Sequence, residues 1–159
     1  MLEPAILYKQ QIVKEFQKYF YTKDMLYETG GMCNWSPNIE ECPDENRFQF
    51  TIVDKNEKPI GYLEYSVDWY ISKVYNFGLF SFDRGNVQVG RDVFNKLEEL
   101  VKNFHRVEWR AVSGNPACRG YDRFIEKYNG NKHVLKDAIR DRNGKYHDDI
   151  IYEIVKPEI

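Results

Sequence analysis

Between Phe77 and Leu100 the sequence FGLFSFDRGNVQVGRDVFNKLEEL carries an apolar run through a short polar loop and directly into a helical pattern. A helix start presents backbone N–H groups without intrahelical partners and about half a positive charge, so this junction suits an anion such as a pyrophosphate. Gly85 and Gly90 let the backbone approach such a ligand, and Arg84 and Arg91 add charge. The same glycines also suit a helix that merely packs on a sheet, and the spacing alone leaves both readings open. Metal chemistry has less support. Cys33 and Cys42 lack a zinc-type spacing and have no second Cys or His pair to complete four ligands, while His105, His133 and His147 stand apart without an HExxH-like pattern. No metal site is expected.

The elements that must hold this junction follow from periodicity. Apolar residues at Ala5, Tyr8, Ile12, Val13, Phe16, Tyr19 and Phe20 form a helical stripe over Pro4 to Tyr21, with Pro4 in the first turn. Gly30 to Asn46 reads as an irregular loop and a candidate substrate wall or lid. Arg47 to Asp54 and Ile60 to Val67 alternate as a hairpin, and Val74 to Phe82 reads as a central strand. From Gly90 a helix carries Val93, Phe94, Leu97, Leu100, Val101 and Phe104 on one face. His105 to Val112 alternates as a strand, and Asn115 with Pro116 opens a helix bearing Cys118, Tyr121, Ile125 and Tyr128. Val134 to Arg140 and Tyr146 to Val155 flank the turn signal Asn143-Gly144 as a closing hairpin. The expected order is helix, three strands, helix, strand, helix, two strands. This is an α/β (α+β) arrangement, a mixed and mostly antiparallel sheet flanked by helices.

Composition narrows the partners. The 159 residues fit one domain spanning 1–159, with 1–46 as a variable N-terminal helical and loop segment. A formal net charge of −2 with interleaved acidic and basic residues supplies no field for nucleic acid, so an aromatic-stacking nucleic-acid domain would lack its basic groove. No apolar run is long enough to span a bilayer. Three cysteines and a start without basic and apolar signal regions point to reduced thiols in a cytoplasm. A homodimer is left open.

From Ile60 to Ile154 the chain resembles the GNAT superfamily of N-acetyltransferases, in particular the subgroup of ribosomal-protein N-terminal acetyltransferases. The resemblance is carried in order by IGYLEYSVDW, NFGLFSF, FHRVEWRAVSGN, KYNGN and NGKYHDDIIYEI. It implies acetyl-coenzyme A as co-substrate and a primary amine of a protein or small molecule as acceptor. It also implies that Phe80, Ser81 and Phe82 pair with the pantetheine arm as an added strand would. The pyrophosphate loop it implies runs through Arg84, Gly85, Gln88, Val89, Gly90 and Arg91, with two departures. Gln88 stands where the family has a glycine, and Arg84 falls one residue early. Asn115 matches an asparagine that contacts the cofactor arm, and as an N-cap it also suits a chain that binds nothing. Glu108 matches a base acting through water, with pairing to Arg106 or Arg110 as the alternative. Tyr121 matches a tyrosine that protonates the leaving thiolate, but it lies one residue closer to Asn115 than is usual. One residue turns a helical side chain by about 100°, so a core role is the alternative. On the acceptor side Tyr27, Trp35 and Trp69 with Glu40, Glu41 and Asp68 are candidates for a cleft. A non-catalytic coenzyme A-binding or protein-interaction module is the alternative function.

Overall fold

A computed structural model describes residues 1–22, 26–27, 37–42 and 44–157. The elements are β1 (Leu2–Pro4), α1 (Lys9–Thr22), β2 (Arg47–Val53), β3 (Pro59–Asp68), β4 (Lys73–Ser81), α2 (Val87–Asn103), β5 (Arg106–Val112), α3 (Cys118–Lys127), β6 (Asn131–Arg140) and β7 (Tyr146–Val155). The strands form one sheet in the order β1-β2-β3-β4-β5-β7-β6. Every neighbouring pair is antiparallel except β4 with β5. The sheet is therefore mixed and mostly antiparallel, as expected. No helix among the described residues is long and apolar enough to cross a membrane.

Alternation assigns the two faces. Leu63, Tyr65, Phe77, Val107, Trp109 and Ala111 meet the α2 stripe of Val89, Val93, Leu97, Leu100 and Val101, and the α3 residues Tyr121, Phe124 and Ile125 join the same core. On the other face Ile12, Phe16 and Tyr19 of α1 pack on Tyr62 and Phe80. Leu97 is fully buried, and replacing such a side chain by alanine costs about 2–5 kcal/mol.

Several boundaries differ from the sequence reading. Leu2–Pro4 forms an edge strand on β2, with Leu2 opposite Ile52, and three residues are too few to show alternation. Pro4 closes this strand, Ala5–Tyr8 form a 3-10 turn, and α1 starts only at Lys9. Helix α2 starts at Val87, not Gly90, because Asn86 caps it: its side-chain oxygen accepts from Gln88 N–H at 2.9 Å. Asn115 does not begin a helix directly. Cys118 N–H bonds back to Asn115 C=O at 3.0 Å, which inserts a tight turn before α3.

Strand β4 carries a local irregularity that shapes the molecule. Its register with β3 shifts between Glu64 and Ser66, and its register with β5 shifts between Val74 and Phe77. Asn76, at φ 51°, lies in that interval, in the left-handed region that asparagine tolerates better than most residues. A bulge bends and twists its strand, and beyond it β4 leaves β5. The last pair between them is Phe77 with Trp109.

Candidate functional site

From Phe77 and Trp109 onward the two parallel strands diverge, leaving a gap at their C-terminal ends. Backbone direction decides what faces it. Phe82 N–H donates to Ile60 C=O, so by alternation the groups of Phe80 and the N–H of Phe82 point at β3, and the groups of Leu79 and Ser81 face the gap. On β5, Ser113 N–H donates to Asp148 C=O, which turns the groups of Arg110 and the N–H of Val112 toward the gap, while Val112 C=O accepts from Asn115 N–H at 3.1 Å. Of the expected Phe80, Ser81 and Phe82, only Ser81 presents its backbone here, and Leu79 joins it. Sequence reading located the strand but not its phase, because the phase depends on the bulge. Phe80 instead buries its ring against Phe16 and Tyr19, and Phe82 C=O accepts from the Tyr19 hydroxyl at 2.6 Å.

The loop after β4 runs into α2 as the sequence suggested. Asp83, Arg84 and Gly85 are exposed, and Gly85 has φ +84°, which favours glycine. Gly90 lies in the first turn of α2, and a Cβ built there meets nothing within 4 Å. Its missing side chain therefore leaves open space beside the helix start. Arg91 is exposed on the same turn. Val89 turns its side chain into the core. Gln88 differs from the expectation of an open ligand contact: its backbone N–H is taken by Asn86, and its side-chain amide donates to Val53 C=O at 2.7 Å. Asn86, missed as a site residue, has a legible signal, a short polar side chain just before a helical stripe.

Across the gap, Asn115 Oδ1 accepts from Ala117 N–H at 2.9 Å, and its Nδ2 donates to Tyr27 C=O at 3.2 Å. Tyr121 is buried, its ring against Phe94, Trp109 and Tyr152. Burial, with the Cys118 thiol beside it, pushes the phenol well above its ordinary range. Glu108 lies on the opposite, α1-facing side of β5. Its Oε1 pairs with Lys73 Nζ at 2.7 Å, and its Oε2 accepts from Arg106 Nε at 3.1 Å. Arg106 also pairs with Glu153, and Arg110 pairs with Asp149 instead of Glu108.

Among the described residues the acceptor-side candidates are not brought together. Tyr27 lies at the open end of β5, but Asp68 stands opposite Lys73 in the β3–β4 register, at the other end of β4, with its carboxylate accepting from Tyr70 N–H. Trp69 packs there on Phe48 and Phe104. Glu40 pairs with Arg47 and Glu41 with Lys9. Trp35 and Cys33 lie outside the described residues. Among the described residues no group of three or more His, Cys, Asp or Glu side chains is arranged to hold a metal ion.

No protein-family model and no curated protein matches the sequence. Solved structures do resemble the fold. A spermidine N-acetyltransferase from Vibrio cholerae, in complex with CoA and spermine, aligns with a TM-score of 0.67 at 14% identity, over 98% of this chain and 94% of that one. An N-acetyltransferase from Staphylococcus aureus Mu50 aligns with a TM-score of 0.66 at 13% identity, over 98% of this chain and 97% of that one. The mixed sheet, its single parallel pair and the gap between those strands give this chain the GNAT N-acetyltransferase fold.

Proposed function

We propose that the chain is an acetyl-CoA-dependent N-acetyltransferase that moves an acetyl group onto a primary amine of a protein or small molecule. The observation that carries this reading is the gap between β4 and β5, with backbone groups of Leu79 and Ser81 facing it and the first turn of α2 beyond the end of β4. The residues fit the cofactor. Leu79 and Ser81 would pair with its amide-bearing arm as an added strand does. The N–H groups at the start of α2 and the exposed Arg84 and Arg91 would take its pyrophosphate, in the space that Gly85 and Gly90 leave open. Asn115 would border the arm from the β5 side. When bound, coenzyme A supplies the acetyl group as an activated thioester.

The chain's own part is positioning and proton handling. Tyr121 would protonate the departing sulfur, its phenol being in the donor form at neutral pH with or without the upward push of burial. For Glu108 the ion pairs with Lys73 and Arg106 favour a paired strand carboxylate over a base. Resemblance to the ribosomal-protein subgroup supports a protein N terminus as acceptor, and the Vibrio cholerae neighbour supports a polyamine. The free thiols of Cys42 and Cys118 support a reducing compartment such as a cytoplasm.

The test has two arms. Acetyl-CoA at a hundred times its dissociation constant should stabilise the chain by about 2.7 kcal/mol, read as a raised melting temperature. Thiol release should then appear with one of spermidine, tyramine, agmatine or a tripeptide with a free N terminus. No thermal shift at millimolar acetyl-CoA rejects the reading. A shift without thiol release leaves a coenzyme A-binding module.

A further inference from the structure

The face of the gap toward α2 and α3 is filled by Trp109, Phe94 and Tyr121, so an acceptor must come from the α1 side. There the chain brackets the opening. Tyr19 of α1 bonds Phe82 at the end of β4, and Tyr27 sits at the end of β5. Three contacts seat Tyr27. Its backbone C=O accepts from Asn115, and its hydroxyl lies only 2.8 Å from where a Cβ on Gly114 would stand. Gly114 has φ +90°, so both the backbone and the space there call for glycine. The third contact is His147, whose ring meets Tyr27 edge to face at 6.4 Å.

His147 is itself fixed. Its Nε2 lies 2.9 Å from Asp141 Oδ2, and both side chains are only 10% exposed. Asp141 is held in turn by the backbone N–H groups of Asn143 and Lys145, each at 2.9 Å. The hydrogen bond from His147 keeps the Asp141 carboxyl below its ordinary range. A hairpin turn needs the Asp141 backbone bonds, but it does not need a shielded imidazole reaching a tyrosine from the far end of the sequence.

We propose that Tyr27 is the residue through which this chain contacts its acceptor amine, and that the His147–Asp141 pair is a positioning pair that holds it there against Gly114. The proposal rests on the acetyltransferase reading and adds to it that the β6–β7 turn sets acceptor discrimination without touching the acceptor. A cationic amine over the face of a tyrosine ring gains about 0.5–1 kcal/mol at an exposed site.

The experiment labels the protein with 3-fluorotyrosine and assigns the Tyr27 signal by its loss in Tyr27→Phe. His147→Gln and Asp141→Asn should each move that signal, and raise the KM for the best of the four probe amines about threefold or more with kcat nearly unchanged. Gly114→Ala and Tyr27→Ala should raise the same KM about tenfold or more. The stabilisation by acetyl-CoA should survive in Tyr27→Ala and in both hairpin variants. A Tyr27 signal that stays in place in both hairpin variants overturns the positioning role, even if their melting temperatures fall. A signal that none of the four amines moves, in protein that acetyl-CoA does stabilise, overturns the acceptor contact. Absence of stabilisation by acetyl-CoA in the unaltered chain instead rejects the acetyltransferase reading itself.

Discussion

Tyr121 meets the rings of Phe94, Trp109 and Tyr152, and a phenylalanine keeps each of those ring contacts. Tyr121→Phe should keep the melting temperature and the affinity for acetyl-CoA, and lower kcat by about 100-fold, the scale of a lost general acid. An unchanged rate would return Tyr121 to a purely packing role. Glu108→Gln is the contrasting case. It weakens pairs with Lys73 and Arg106, which are partly solvated, and should change turnover less than about threefold while lowering stability by no more than about 1 kcal/mol. A loss of 100-fold in rate would instead make Glu108 the base. Both residues were legible as candidates in the sequence, but their surroundings were not. Lys73 reaches Glu108 from a parallel strand, and no local pattern reports that contact.

At the scale of elements, the strand-loop-helix unit from β4 to α2 was the most readable part of the chain. An apolar run, two glycines and an amphipathic stripe are all local signals, and they gave the junction to within a turn. The cap at Asn86 moved the helix start upstream and put Gly90 inside the first turn. Because a Cβ at Gly90 meets nothing within 4 Å, Gly90→Val should leave stability within about 0.5 kcal/mol, as helix propensities suggest. The added branch would stand where the pyrophosphate is proposed to lie, so acetyl-CoA affinity should fall about tenfold or more, measured by calorimetry. Equal loss of stability and affinity would make Gly90 a packing glycine. Less was readable in β1 and at Tyr27. Strand β1 is only three residues long, and Tyr27 is placed by Gly114, Asn115 and His147, all distant in sequence.

Over the whole molecule, the fold class followed from element order, while the pairing of β4 with β5 depends on α2 crossing between them. A crossover helix between two strands signals a parallel pair, but it does not say where that pair stops. That point is set by the bulge at Asn76. Its consequence is kinetic as well as geometric. Along the last residues of β4, amide protons alternate between a bonded side and an open side, so hydrogen exchange there should not rise smoothly toward the strand end. Leu79 and Ser81 should exchange on the order of 100-fold faster than Phe80 and Phe82, although all four are consecutive positions at the end of one strand and share one local unfolding event. Saturation with acetyl-CoA should slow the fast pair selectively and leave the slow pair almost untouched. The zigzag in exchange rate, and its flattening, would report from single amides that the ligand completes a strand edge that Asn76 leaves unfinished.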